Sequence, residues 1–264
     1  MTKKCEYDEM IEKLTAAIES HPNHAPALAN RGLAWYAEGD FDRALEDLNE
    51  AIRLDPELAL AYNSRGRVWY KKGDLSQAIA NFTEAIQIDP TLALAYFGRG
   101  RAWYDKGKLD RALEDLNEAV RLDPSHAGSH ASRGLAWYAD GNLDQAIEDF
   151  TEAIRLDPAL AMAYNNRGRA RHKKGSFDQA IADFTEAIRL APHYAPAYAN
   201  RGIAWLRKKE VDRAMQDCDE AIRLAPNYAA AHYIRGLARE AQNDHSGAEV
   251  DFDKARELGF ESAS

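Results

Sequence analysis

The residues best suited to chemistry in this 264-residue chain are cations and aromatic hydroxyls set on a fixed beat. Tyr36, Tyr70, Tyr104 and Tyr138 stand 34 residues apart, and Arg67, Arg101 and Arg169 keep the same beat with one step skipped. Short amides accompany them at Asn30, Asn63, Asn165, Asn166 and Asn200, together with Phe97, Lys71, Lys173, His172 and Arg207. This is the chemistry of recognition. Tyr offers broad contact with a polar tip, Arg pairs with carboxylates, and a short amide can bond a peptide backbone. Groups for making or breaking bonds are missing: there is no phosphate loop, zinc pattern, nucleophile elbow or distinctive carboxylate pair. His126 and His130 have a metal-like spacing but straddle a repeat junction without a third ligand, so they read as chance. Neither catalysis nor a cofactor or metal is expected.

The beat belongs to the whole chain. An Arg-Gly pair returns every 34 residues from Arg31-Gly32 to Arg235-Gly236, and proline keeps the same period from Pro22 to Pro226. With Ala25–Leu58 taken as the first unit and its positions numbered from 1, seven units fill residues 25–262. Glycine holds position 8, and alanine positions 20 and 27, in all seven. Apolar residues recur at helical spacing in two runs, divided in five units by a glycine at position 15 (Gly39, Gly73, Gly107, Gly141, Gly175). Asp, Asn or Ser usually follows that glycine, where it can cap a second helix, and the proline at position 32 ends that helix. Each unit is therefore helix A, a tight turn and helix B, with small residues at positions 8 and 20 letting the two backbones approach closely. A period in this range marks an all-α solenoid.

The position-11 aromatics (Trp35, Trp69, Trp103, Trp137, Trp205), with the Gly at 8, Ala at 20 and 27, and Pro at 32, make the chain resemble the tetratricopeptide repeat family. The resemblance implies a right-handed superhelix, with helix A lining a concave groove and helix B on the convex outside. Positions 2, 5, 6, 9, 12 and 13 would then face the groove and include every recognition residue named above. Six basic residues against two acidic ones (Asp105, Glu240) make this face about +4 in a chain of −9. An extended, acidic peptide or protein segment is the expected partner. The lysine and asparagine clamp that chaperone-binding members use for a C-terminal carboxylate is absent, so a heat-shock-protein peptide is not expected. A self-associating architectural protein, or a targeting subunit acting in trans on an enzyme, are the alternatives.

The remaining expectations are structural. Position 7 is arginine in every unit and position 23 is aspartate in six, with Asn81 the exception, so a ladder of structural ion pairs should join the two helices. The tryptophans and Cys218 read as core. Residues 1–24 read as a lone capping helix in the B register, with Met10 at position 20 and Ala17 at position 27. Glu249 and Arg256 replace apolar residues at positions 21 and 28 of the last unit, so the array should stop there. The acidic balance disfavours nucleic acid, and no apolar run is long enough to span a bilayer. Two cysteines and no apolar leader fit a cytoplasmic protein.

Overall fold

The computed structural model describes residues 3–260, and among them holds fifteen helices and no strand. Helix α1 (Lys3–Ser20) precedes the hairpins α2 (Ala25–Glu38) with α3 (Phe41–Leu54), α4 (Ala59–Lys71) with α5 (Leu75–Ile88), and α6 (Ala93–Asp105) with α7 (Leu109–Leu122). Then follow α8 (Ala127–Asp140) with α9 (Leu143–Leu156), α10 (Ala161–Lys173) with α11 (Phe177–Leu190), α12 (Ala195–Arg207) with α13 (Val211–Leu224), and α14 (Ala229–Ala241) with α15 (His245–Glu257). Contacts group them into two compact units, Met1–Ala136 and Trp137–Ser264.

The turn between the helices of a pair depends on backbone conformation. Position 15 takes positive φ in five units through glycine, from 69° at Gly107 to 90° at Gly39. The last two units keep that conformation without glycine, at Lys209 (φ 64°) and Asn243 (φ 62°). A lysine there crowds its own Cβ against the backbone, so Lys209→Gly should stabilise the chain by about 1 kcal/mol. Urea denaturation checks this, and a midpoint at or below the wild-type value would contradict it. The capping expectation holds for Asp40, Asp74 and Asp244, whose carboxylates accept backbone N–H bonds, but Asn142 and Ser176 make no such bond. Every B helix from α3 to α13 stops two residues before its proline, because the residue preceding proline is forced out of helical conformation.

Between the helices of a pair, the position-8 glycine lies against the side chain at position 24. A Cβ on Gly32 would stand 2.8 Å from Leu48, and one on Gly66 would stand 2.8 Å from the Phe82 ring. The alanines at positions 20 and 27 are fully buried in this seam, as are Leu48, Phe82, Leu116, Phe150 and Cys218. Burial pushes the Cys218 thiol up to about 12, which keeps it protonated.

The expected arginine ladder is present and does more than join two helices. Arg31 clamps Asp47 with Nε and Nη2, both at 2.7 Å, and the same two-pronged grip holds Arg99 to Asp115, Arg167 to Asp183, Arg201 to Asp217 and Arg235 to Asp251. In the second repeat Arg65 Nε donates to Asn81 Oδ1 instead, at 2.6 Å. The remaining prong, Nη1, crosses to the B helix of the preceding unit. It reaches Thr15, Asn49, Thr83, Asn117, Thr151, Thr185 and Asp219 in turn, at 2.8–3.1 Å. The threonines at 83, 151 and 185 donate their own proton to a carbonyl one turn back, leaving lone pairs for the guanidinium. Six of these arginines, Arg31, Arg65, Arg99, Arg167, Arg201 and Arg235, thus pin three helices each. A second set of inter-repeat ties runs from Lys72 to Asp42, Lys174 to Asp144 and Lys208 to Asp178.

One expectation needs correction. The tryptophans are half-buried rather than core, because their large rings reach the rim of the seam, where cations roof them. Arg43 covers Trp35, Arg111 covers Trp103 and Arg213 covers Trp205, at 4.6–4.7 Å from the ring centres. In α1, Ile11 is buried and Ile18 packs on the first core cluster, while Met10 and Ala17 are exposed. The face that meets α2 is therefore the one at positions 21 and 28. In α15 those two positions, Glu249 and Arg256, are exposed.

Candidate functional site

The A helices of neighbouring repeats lie side by side, which sets position 9 of one unit over position 12 of the unit before it. In the first compact unit, the Arg67 guanidinium on α4 lies 4.8 Å above the Tyr36 ring of α2. Arg101 on α6 lies 4.9 Å above the Tyr70 ring of α4 and 5.5 Å from Phe97. Tyrosine and arginine are thus stacked in layers rather than presented separately, which holds each long cation in place at small entropic cost. Arg101 Nη2 donates to Tyr70 Oη at 3.1 Å, and Tyr70 Oη donates to Asp105 Oδ2 at 2.5 Å. Burial, with the Asp105 bond, pushes the Tyr70 phenol up to about 12, so it remains a donor.

Tyr36, Arg67, Tyr70, Lys71, Phe97 and Arg101 together line a hollow of about 270 Å³, closed by Leu94, Gly98 and His126. His126 meets Phe97 edge-on at 4.8 Å, and its Nδ1 lies 2.8 Å from Ser129 Oγ. Burial lowers the His126 pKa below the usual imidazole value. His130 is engaged elsewhere, with Nε2 3.0 Å from the Pro124 carbonyl, and no cluster of three potential metal ligands occurs among the described residues. Tyr104 stands apart, in a smaller hollow with Tyr70, Arg101, Asp105 and Leu135.

The second compact unit repeats the motif with different weight. Arg169 and Lys173, one turn apart on α10, both lie over the Tyr138 ring, at 4.8 and 5.4 Å. His172 packs on Phe177 at 5.3 Å, and burial, followed by the nearby Arg207 charge, lowers its pKa. Tyr138, Arg169, His172, Lys173, Asn200 and Arg207 line a hollow of about 490 Å³ with Phe177 and Ile203. Beneath it, Asn200 Nδ2 donates to Asn165 Oδ1 at 2.9 Å, and Arg169 Nη1 donates to Asn166 Oδ1 at 3.3 Å.

The amides therefore divide. Asn200 reaches the hollow, and Asn30 is exposed but borders neither one. Asn63, Asn165 and Asn166 are only 3%, 2% and 8% exposed, so they are not open to a peptide backbone as expected. Asn165 is bonded by Asn200 of the neighbouring A helix, and Asn166 by Arg169 on its own helix. Conversely, Leu94, His126 and Ile203 line the hollows although none is among the recognition residues named from the sequence, His126 having read only as part of a chance histidine pair. A signal for the first of these lay in position 2, where Leu60, Leu94 and Met162 are apolar yet 53%, 44% and 59% exposed.

Charge pairing sets this face apart from most arginines elsewhere, although Arg65, held by two asparagines, and Arg111 and Arg213, lying over tryptophans, also lack an ion pair among the described residues. Among the described residues, Arg67, Lys71, Arg101, Arg169, Lys173 and Arg207 form no ion pair with a carboxylate. On the B helices, by contrast, Arg53, Arg121, Arg155, Arg189 and Arg223 each grip a glutamate one turn back. No helix among the described residues is long and apolar enough to cross a membrane.

Similarity to known proteins follows the same repeat. The family model described as tetratricopeptide repeat matches residues 97–161, 165–229 and 219–259, and that described as TPR repeat matches 32–73 and 66–104. No curated protein matches the chain. Among solved structures it resembles the APC/C hetero-tetramer Cut9-Hcn1, with 20% identity and a TM-score of 0.79 over 89% of this chain. The match spans 46% of that longer chain. It also resembles a tetratricopeptide repeat protein from Parabacteroides merdae ATCC 43184, with 22% identity and a TM-score of 0.68 over 90% of this chain and 94% of the other. YrrB, described as a TPR protein with an unusual peptide-binding site, gives 22% identity and a TM-score of 0.58 over 70% and 95%. At these identities the likeness is one of fold.

Proposed function

We propose, from the premise that this chain belongs to the tetratricopeptide repeat family, that it is a protein-interaction scaffold whose A-helix faces hold an extended acidic segment of a partner. The observation that carries this reading is the set of six cations without a carboxylate partner among the described residues, four of them over tyrosine rings, in a chain of net charge −9 that pairs most of its other arginines. A cation left unpaired at a shaped surface is available to a carboxylate, and the ring beneath it fixes where the pair can form. Exposed Leu60 and Leu94 add apolar contact beside the charges, as recognition surfaces commonly do. Affinity would be spread over several repeats rather than concentrated in one site.

Charge reversal tests the reading. Immobilised protein should retain a pool of acidic peptides, and the Arg67→Glu/Arg101→Glu double variant or Arg169→Glu should each weaken retention about tenfold. Reversing Arg53 and Arg189 on the B helices should leave retention unchanged. Equal retention by all variants would place binding elsewhere on the molecule.

A further inference from the structure

We propose that the hollow of the second compact unit is a site for a phosphate monoester, carried as a phosphorylated side chain on an extended partner segment. This rests on the scaffold reading above and narrows it. The two hollows differ in kind. The first mixes its cations with Leu94, Phe97 and Tyr36 and has a carboxylate close by, since Tyr70 on its wall is bonded to Asp105. The second gathers Arg169, Lys173 and Arg207 around His172 and Asn200, beside Tyr138, Phe177 and Ile203; neither hollow is lined by an acidic residue, but among the described residues no side chain lining the second is bonded to a carboxylate.

The local sequence makes this arrangement costly without a ligand. Arg169 and Lys173 are like charges one turn apart on α10, a mutually repelling spacing, and both are drawn over the single ring of Tyr138. The next residue along each helix shows that counterions were close at hand. Lys174 is bonded to Asp144 and Lys208 to Asp178, while their immediate neighbours Lys173 and Arg207, turned toward the hollow, have no carboxylate partner. The buried Nε2 of His172, on the wall of the same hollow, also lacks a hydrogen-bond partner.

One carboxylate would leave most of this charge unbalanced. A phosphate monoester carries close to two negative charges at neutral pH and three acceptor oxygens, which suits two arginines and a lysine on different sides of one cavity. A volume of about 490 Å³ admits the group with the side chain that bears it. Gly175 on the rim adds no side chain to block the approach.

The test uses pools of short extended peptides whose central residue is phosphoserine, glutamate or serine, followed by fluorescence anisotropy on the full chain, with inorganic phosphate alone as a fourth arm. The phosphoserine pool should bind about tenfold more tightly than the glutamate pool, the extra charge and oxygens providing the difference. Lys173→Glu and Arg207→Glu should each erase that preference. Both side chains are exposed, so the variants should keep wild-type circular dichroism. Arg67→Glu in the other unit should leave the preference intact. Equal binding of the glutamate and phosphoserine pools would overturn the phosphate site while leaving the acidic-segment scaffold standing. Binding of no pool would overturn both. Preference surviving in both variants would refute the assignment to this hollow. Inorganic phosphate binding as tightly as the phosphoserine pool would refute a peptide-borne ligand.

Discussion

Replacing Asp183 with alanine should lower the unfolding free energy by about 3–5 kcal/mol, the cost of stranding a buried charge rather than the worth of an ion pair. Asp183 is buried and answers two guanidiniums, Arg167 through Nε and Nη2 and Arg171 through Nη1 at 2.8 Å. Alanine would leave both half-desolvated with no counterion. Asp183→Asn should cost clearly less. The protein itself supplies the precedent in its second repeat, where Arg65 donates to Asn81 and Asn81 Nδ2 donates onward to the Gln77 carbonyl. That neutral rung comes at a cost: desolvation lowers the Arg65 pKa, whereas bonding to Asp47 raises that of Arg31. Urea unfolding of the two variants decides the point. A loss for alanine no larger than for asparagine would show that the ladder is not what holds α10 to α11.

Gly168→Ala should cost about 1–3 kcal/mol, the range for forcing extra volume into a packed seam. Its new Cβ would stand 2.6 Å from one Phe184 ring carbon and 2.8 Å from another. Phe184 is itself buried, with no room to swing aside. The same change at Gly202 comes no closer than 3.1 Å, to Cys218 Sγ, with the Ala214 carbonyl at 3.4 Å, and should be markedly milder. The pair forms an internal control, since both glycines occupy the same position on the same kind of helix. Equal losses at the two sites would mean that glycine is needed there for its backbone freedom, and not for the close approach of helix B.

The helix pairs were legible because their periodicity is written in residues that cannot be exchanged: Gly at the contact, Ala in the seam and Pro at the exit. The arginine-to-aspartate rung was legible too, since arginine recurs in all seven units and aspartate in six. Its third arm was not. Position 25 varies among Thr, Asn and Asp, which share an acceptor oxygen but no obvious sequence identity. The site was legible in its residue types and less so in their arrangement. Spacing places Tyr70 and Arg101 on one face, yet a helical wheel cannot say that one lies on top of the other, because that contact joins different repeats. It also could not say which units bury positions 5 and 6, which is why Asn63 and Asn165 looked available when they are buried while Asn200 is open.

The reach of the ties that join one repeat to the next has a consequence for how the chain forms and yields. The arginine arms connect residues 16 apart, the lysine ties residues 30 apart, and Tyr70 reaches Asp105 across 35. None waits for distant parts of the chain to meet, so little loop-closure entropy opposes any of them. Low contact order of this kind favours fast folding from whichever neighbouring pair of hairpins forms first, with growth outward in either direction. Under tension the same economy works in reverse: among the described residues no long-range strap shields the interior, so hairpins should peel away one after another, each surrendering one arginine arm at a time.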